Sequence, residues 1–140
     1  MPIEIIDLDG GLGNLIMMTG AITESDFVEA LQKHLTQDPV KYGRYRFSLT
    51  DLSDVTELSL SSDIIHEHSC ACVRSAEINP DVVVAVVSPQ DLGFGLSRMW
   101  EILSGETSWE IQVFRDNAEA RKWITERVKA RWNITDLTWH

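Results

Sequence analysis

A run of apolar residues near the middle of the chain constrains the fold more than any other feature. From Asp81 the sequence continues Val-Val-Val-Ala-Val-Val and ends at Val87, so both faces of an extended chain are apolar here. Side chains of a strand alternate between its two faces, and a strand that is apolar on both needs a layer of structure on each side. The run therefore predicts a central strand in a largely parallel region of a sheet.

The N-terminal segment has the pattern of a β-hairpin followed by a helix. Apolar stretches at 3–8 and 12–19 flank Asp9-Gly10-Gly11, where glycine accepts the positive φ that a hairpin turn requires. We expect Gly20 to end the second strand. Thr23 with Asp26 three residues later resembles a capping box, which predicts that a helix begins there.

The rest of the chain alternates between helix and strand patterns. The first helix is expected to stop at Asp38-Pro39, and a turn is predicted at Asp51–Val55. Period-two segments predict strands at 45–50 and 109–113. Apolar residues at helical spacing predict one helix from Ser61 or Ser62 to about Ala76, another with its apolar stripe from Leu92 to Leu103, closed by Gly105, and a last helix capped by Asp116-Asn117. A hairpin followed by helix–strand units predicts an α/β fold with one mixed sheet of about five strands and four helices.

Length and composition favour a single domain. The chain has 140 residues, 44% of them hydrophobic, which is enough for one core. We expect the domain to span 1–131. The segment 132–140 contains Trp132 and Trp139, so we expect it to pack on the domain or on a neighbouring subunit.

Charge and sorting signals limit the partners that we expect. The net charge is −10, which opposes binding to nucleic acid and to anionic membrane surfaces. The N-terminus lacks the pattern of an export signal, and no apolar stretch is long enough to cross a bilayer. Cys70 and Cys72 are too close in sequence for a good disulfide, so a reducing cytoplasm is the expected compartment.

Two segments carry a resemblance to a known family. The sequence WEIQVFRDNAEARKWI, residues 109–124, resembles the closing strand and helix of SpoIIAA-like domains. The sequence DLSDV, residues 51–55, resembles the "DLSxV" strand end of the related STAS domains of anti-sigma-factor antagonists. The resemblance implies a sheet with helices mainly on one side, no cofactor, and a role in binding proteins or small anionic or nucleotide ligands.

The same resemblance bears on a regulatory serine. STAS antagonists carry a phosphorylated serine in a "DSSG" motif, whose positions correspond here to Ser59, Leu60, Ser61 and Ser62. Leu60 stands at the phosphorylated position, so this chain departs from the pattern there. The three serines still place hydroxyls at an expected helix start, where they can bind an anion or cap the helix.

A run of histidines and cysteines has the residue types of a zinc site. The run is His66, His68, Cys70 and Cys72. On a helix only residues three or four apart share a face, so the run divides into two pairs, 66 with 70 and 68 with 72. We therefore predict no metal site.

No catalytic motif is present, so we predict a protein that is not an enzyme. The leading hypothesis is a protein-interaction or regulatory module with a protein partner of unknown identity. Self-association as a homodimer through exposed tryptophans, at 109, 132 and 139, is a further expectation.

The alternative is a carrier of a small apolar, lipid-like ligand, with a pocket between sheet and helices lined by residues such as Phe94, Met99 and Trp100. The candidate binding residues from both hypotheses come from the "DLSxV" segment, the serine cluster and the glycine-containing third helix. They are Asp51, Ser53, Ser59, Ser61, Ser62, Asp91, Phe94, Arg98, Met99 and Trp100.

Overall fold

A computed structural model describes residues 2–35 and 39–140. The described part contains one five-stranded sheet whose strands lie in chain order. The strands are β1 (Ile3–Leu8), β2 (Gly13–Thr23), β3 (Phe47–Ser59), β4 (Val83–Val87) and β5 (Glu110–Phe114). The helices are α1 (Glu24–Leu35), the short α2 (Pro39–Tyr42), α3 (Ser62–Ile78), α4 (Asp91–Leu103) and α5 (Asn117–Trp132). The predicted α/β class is confirmed.

The first two strands form the predicted hairpin. β1 pairs with β2 in antiparallel orientation, and β2 to β5 are parallel to one another. The turn is a single 3-10 turn at Asp9–Gly11, in which Gly10 and Gly11 have φ values of 70° and 93°. Positive φ is strained for residues with a side chain, which is why glycines occur here. The sheet is mixed, as predicted.

Polar side chains begin the helices at the expected positions. The Thr23 hydroxyl accepts a hydrogen bond from the Asp26 N–H at 3.2 Å, and the Asp26 carboxylate accepts one from the Thr23 N–H at 3.1 Å. This is the reciprocal arrangement of a capping box. Asp116 caps α5 by accepting from the Ala118 N–H at 3.2 Å. The predicted stop of α1 at residue 38 lies outside the described residues.

Two predicted strand ends are wrong. β3 continues through the Asp51–Val55 segment to Ser59, and β2 continues past Gly20 to Thr23. The two strands pair with each other along this extension, and shifts in their register near Met17 and Gly20 absorb the irregular residues. Pairing with a neighbouring strand outweighed the local turn signals, since strand propensity depends strongly on context.

The sheet has a core on each face, and β4 belongs to both. Val82, Val84 and Val86 face α1, α3 and α4, whereas Val83, Ala85 and Val87 face α5. All six are buried, which confirms the strand predicted from the valine run. Three of the four longer helices lie on one face, so the expectation of helices mainly on one side is also confirmed.

The C-terminal residues pack on the second face of the sheet. The Trp139 ring contacts the Phe47 ring with centroids 5.1 Å apart. The Asp9 carboxylate accepts hydrogen bonds from the Thr138 N–H at 2.7 Å and the Trp139 N–H at 3.2 Å. The Asp9 N–H in turn donates to the His140 carbonyl at 2.6 Å. The tail is therefore tied to the hairpin turn of its own domain.

Candidate ligand-binding cavity

A cavity of about 120 Å³ lies between the sheet and the three helices on its first face. Its floor is formed by β2, β3 and β4, and its roof by α1, α3 and α4. Most of its lining is apolar and comes from buried side chains such as Ile16, Phe27, Val84 and Trp100. An apolar cavity with a few polar groups is typical of sites for small molecules.

The period of the strands decides which residues form the floor. In β2 the inward positions are Asn14, Ile16 and Met18, and in β3 they begin with Ser48 and Thr50. The register sets Asn14 beside Ser48, and Ser48 beside Val84. The floor is therefore most polar at the level of Asn14 and Ser48, and the next level has one hydroxyl, that of Thr50, between Ile16 and Val86.

Helical spacing on α3 supplies much of the roof. Ile65, His68 and Cys72 lie at intervals of three and four residues and all line the cavity. The His68 ring stacks on Trp100 at 5.6 Å with an interplanar angle of 10°, and meets the edge of Phe27 at 5.3 Å. His68 is thus held between two aromatic rings.

The Cys72 thiol is not an activated nucleophile. Burial raises the pKa of Cys72 to about 12, and the neighbouring Trp100 indole opposes this only in part. Its sulfur lies 3.7 Å from His68 Nδ1, but a thiol with such a pKa stays protonated at neutral pH. Cysteine catalysis needs the thiolate, so this pair lacks the reactive form.

The histidine and cysteine run divides into two faces, as the helical spacing predicts. His66 and Cys70 form a second pair on the exposed side of α3, with Sγ and Nδ1 3.8 Å apart. Among residues 2–35 and 39–140, no three histidine, cysteine, aspartate or glutamate side chains converge as a metal site would require.

Asn14 and Ser48 are site residues that the sequence reasoning missed. Asn14 is only 1% exposed, and its Oδ1 accepts a hydrogen bond from the Ser48 hydroxyl at 2.6 Å. The strand period could have found them. Asn14 lies two residues before the inward Ile16, and Ser48 lies two residues before the inward Thr50, so each shares the inward face of its strand. Because Phe47 and Leu49 are bulkier, the other face of β3 looked like the buried one.

Only one of the three predicted pocket residues lines the cavity. Trp100 does so, whereas Phe94 and Met99 pack at the edge of the same core without reaching the cavity. Arg98 is exposed and pairs with Glu101 at 2.6 Å. The correction follows from helix geometry, since neighbours in sequence point about 100° apart around the axis.

Asp91 and Phe94, two other predicted residues on α4, contact Arg115 outside the cavity. Asp91 pairs with Arg115 at 2.8 Å, and the Arg115 guanidinium lies 4.2 Å from the centre of the Phe94 ring. These contacts join the start of α4 to the end of β5. The predicted α4 cluster is therefore split between the cavity, the core edge and the surface.

The serine cluster has the structure of a helix cap. Ser61 precedes α3, and its hydroxyl accepts from the Ile64 N–H at 3.3 Å. The Ser61 N–H donates to the Glu24 carboxylate at 2.8 Å, and these hydrogen bonds from Ser61 lower the Glu24 pKa. The Glu24 carboxylate thus already lies at the N-terminus of α3, and an anion that binds there would have to compete with it. Ser59 and Ser62 are exposed on either side of this cap.

Asp51 and Ser53 lie in the middle of β3, apart from the serine cap. Asp51 accepts hydrogen bonds from the Ser53 N–H and from Asn117 at the start of α5, each at 2.9 Å. Leu60, which stands at the position of the phosphorylated serine in the resemblance, is half-buried and lines the cavity. An apolar residue there is consistent with its place in the wall.

The described residues form an α/β domain with an apolar cavity on one face of its sheet. The chain is similar to a crystal structure described as an uncharacterised protein of the DUF3478 family with a SpoIIAA-like fold, from Shewanella loihica PV-4. The TM-score is 0.50 at 18% identity, over 87% of this chain and 91% of the other. The SpoIIAA-like fold expected from the sequence is confirmed.

Other comparisons add no relatives. Neither the profiles of known protein families nor the sequences of curated proteins match this chain. Of the helices in the described ranges, none combines the length and the apolar character needed to cross a membrane.

Proposed function

We propose that this protein binds a small, largely apolar molecule in the cavity between the sheet and helices α1, α3 and α4. The observation that carries the proposal is the cavity of about 120 Å³, walled by buried apolar and aromatic side chains. An apolar cavity of ~150 Å³ in another protein binds benzene, so the expected ligand has roughly six non-hydrogen atoms.

The chemistry of the wall supports binding rather than catalysis. The Cys72 thiol is protonated, and His68 lies between the rings of Phe27 and Trp100. A protonated thiol lacks the thiolate form that nucleophilic catalysis by cysteine needs. A role without catalysis remains our prediction.

A protein-interaction or regulatory role, with a protein partner or a homodimer, also stays a prediction. The tryptophans proposed for self-association are partly buried against their own domain. Trp109, for example, donates its indole N–H to the Asn79 carbonyl at 2.7 Å. The cavity has defined lining residues, whereas no surface of the described residues points to a particular protein partner, so we favour ligand binding.

Filling the cavity from α4 tests the proposal. Leu96 lines the cavity, whereas Leu92, one turn earlier on α4, is 61% exposed. We expect Leu96→Trp to weaken binding of hexan-1-ol at least tenfold, because the larger ring occupies the space of the ligand. Leu92→Trp is the matched control and should bind as the wild type does.

Binding can be followed by the shift of the Trp100 indole N–H resonance in NMR titrations, with Trp100→Phe to assign that signal. Equal affinity of the Leu96→Trp and Leu92→Trp proteins for the alcohol would contradict the proposal. A wild-type protein that binds no six-carbon compound would do the same.

A further inference from the structure

The cavity contains polar groups that the described protein leaves without partners. Asn14 Oδ1 is used by Ser48, but the Asn14 amide nitrogen makes no hydrogen bond with a described residue, although the side chain is 99% buried. Trp100 is 8% exposed, and its indole nitrogen likewise has no oxygen or nitrogen acceptor among the described residues. The Cys72 thiol interacts with this indole, but sulfur is a weak acceptor.

Such groups are costly unless something else satisfies them. A buried donor without an acceptor loses its hydrogen bonds to water and gains nothing in return. Both unpaired groups are N–H donors, and both belong to residues that line the same cavity. A ligand that completes the site would therefore present acceptor oxygen to this wall.

The wall also indicates the charge of the ligand. No lysine or arginine occurs among the described residues that line the cavity, and His68 is the one basic side chain there. The His68 ring is already engaged with Phe27, Trp100 and Cys72. A carboxylate in this cavity would find no lysine or arginine as a counter-ion, and burying it would be far more costly than burying a neutral oxygen.

We infer that the ligand is uncharged and carries an acceptor oxygen, as in a ketone, aldehyde, ester or alcohol, and that the Asn14 amide donates to this oxygen. This inference rests on the proposed function and narrows its ligand class. Ser48 is a positioning residue, because its hydroxyl holds Asn14 Oδ1 and so fixes which end of the amide is free.

A series of six-carbon compounds at pH 8 tests the inference with the whole protein. Hexan-2-one, hexan-1-ol, hexanoate and hexane differ mainly in the group at or near one end. We expect the ketone and the alcohol to bind at least tenfold more tightly than hexanoate, which is ionised at this pH. Hexane has no oxygen and serves as the reference compound that cannot accept a hydrogen bond.

Variants identify the group that provides this preference. Asn14→Leu keeps the branched shape of the side chain and removes the donor, so the ketone should lose about fivefold more affinity than hexane does. Trp100→Phe removes the second donor and is expected to act in the same direction. Gln112→Leu, which changes an exposed amide outside the cavity in the same way, is the matched control.

The possible results distinguish failure of this inference from failure of the proposed function. Hexanoate binding as tightly as hexan-2-one, or an equal effect of Asn14→Leu on the affinities for hexan-2-one and hexane, would overturn the inference and leave a binding cavity in place. Failure of every compound to bind would overturn both. Should Asn14→Leu not fold, the wild-type series together with Ser48→Ala still decides, because Ser48→Ala should also reduce the preference for the ketone over hexane.

Discussion

At the scale of single residues, Cys70 and Cys72 show how much two positions along a helix can change the chemistry of a side chain. Cys70 lies on the exposed face of α3, whereas Cys72 is 3% exposed and lines the cavity. Burial disfavours the thiolate and raises the pKa of Cys72 to about 12. The two thiols should therefore differ greatly in reactivity.

This difference predicts the outcome of thiol titration with a disulfide reagent. In the native protein at pH 8 the Cys72 thiol is buried and almost entirely protonated, so only Cys70 should react rapidly. A second thiol should react when the protein is unfolded in guanidinium chloride. The Cys70→Ser variant should show no rapid reaction, and a fast second thiol in the native wild type would contradict the buried position of Cys72.

The sequence identified one residue of the cavity and missed two of its polar residues. Trp100 was predicted because a large aromatic on a helical stripe faces a core. Asn14 and Ser48 were missed because a polar residue at an inward strand position looks like a surface residue until the strand has neighbours on both sides. Their pairing depends on the β2–β3 register, which joins residues 34 positions apart.

At the scale of elements, β5 and α5 are joined by an ion-pair cluster at the start of β5. Arg127 donates to both carboxylate oxygens of Glu110, at 2.6 and 2.9 Å, and Arg131 lies 3.3 Å from the same carboxylate. The hydrogen bonds from Arg127 are the main cause of the lowered pKa of Glu110, and the charges of both arginines add to it. Two oxygens matched by one guanidinium give a specific geometry.

The lowered pKa of Glu110 predicts a pH-dependent effect of Glu110→Gln. A carboxyl whose pKa is lower in the folded state stabilises the fold above its unfolded pKa, and this contribution is lost as pH falls through the folded pKa. The variant should therefore melt at a lower temperature than the wild type at pH 7. The difference should shrink below pH 4.5 and vanish once the wild-type carboxyl is protonated.

Thermal melts by circular dichroism between pH 3 and pH 7 measure this effect. Glu106→Gln is a suitable control, because Glu106 is exposed and has no ion pair with a described residue. A Glu110→Gln deficit that persists unchanged at the lowest pH would show that the ion pairs are not its cause.

At the scale of the whole molecule, the second core is closed by the last residues of the chain. Ala120, Ile124 and Val128 on α5 are fully buried against Phe47, Leu49 and the outer face of β4. Trp139 extends this cover across Phe47, and the Arg121 guanidinium lies 5.1 Å from the centre of the Trp139 ring. Asp9 joins this tail to the hairpin turn through hydrogen bonds, so we expect the turn and the tail to stabilise each other.

We predict that Trp139→Ala destabilises the protein by about 1–3 kcal/mol, less than for a fully buried tryptophan because this one is half-exposed. Asp9→Ala should destabilise in the same direction, since it removes the acceptor of the Thr138 and Trp139 hydrogen bonds. Urea unfolding measures both. His140→Ala leaves the backbone contact in place and serves as the control; equal stability of all four proteins would mean that the tail does not stabilise the domain.

Local patterns were sufficient to predict the hairpin, the helix starts and the strand buried on both faces. Each depends on signals within a few residues: the glycines of a turn, the pair Thr23 and Asp26, or a run of valines. The length of β2 and β3, the cover of the second core by Trp139, and the polar floor of the cavity were decided only by tertiary structure. These features depend on contacts between distant residues, whose pairing no local period encodes.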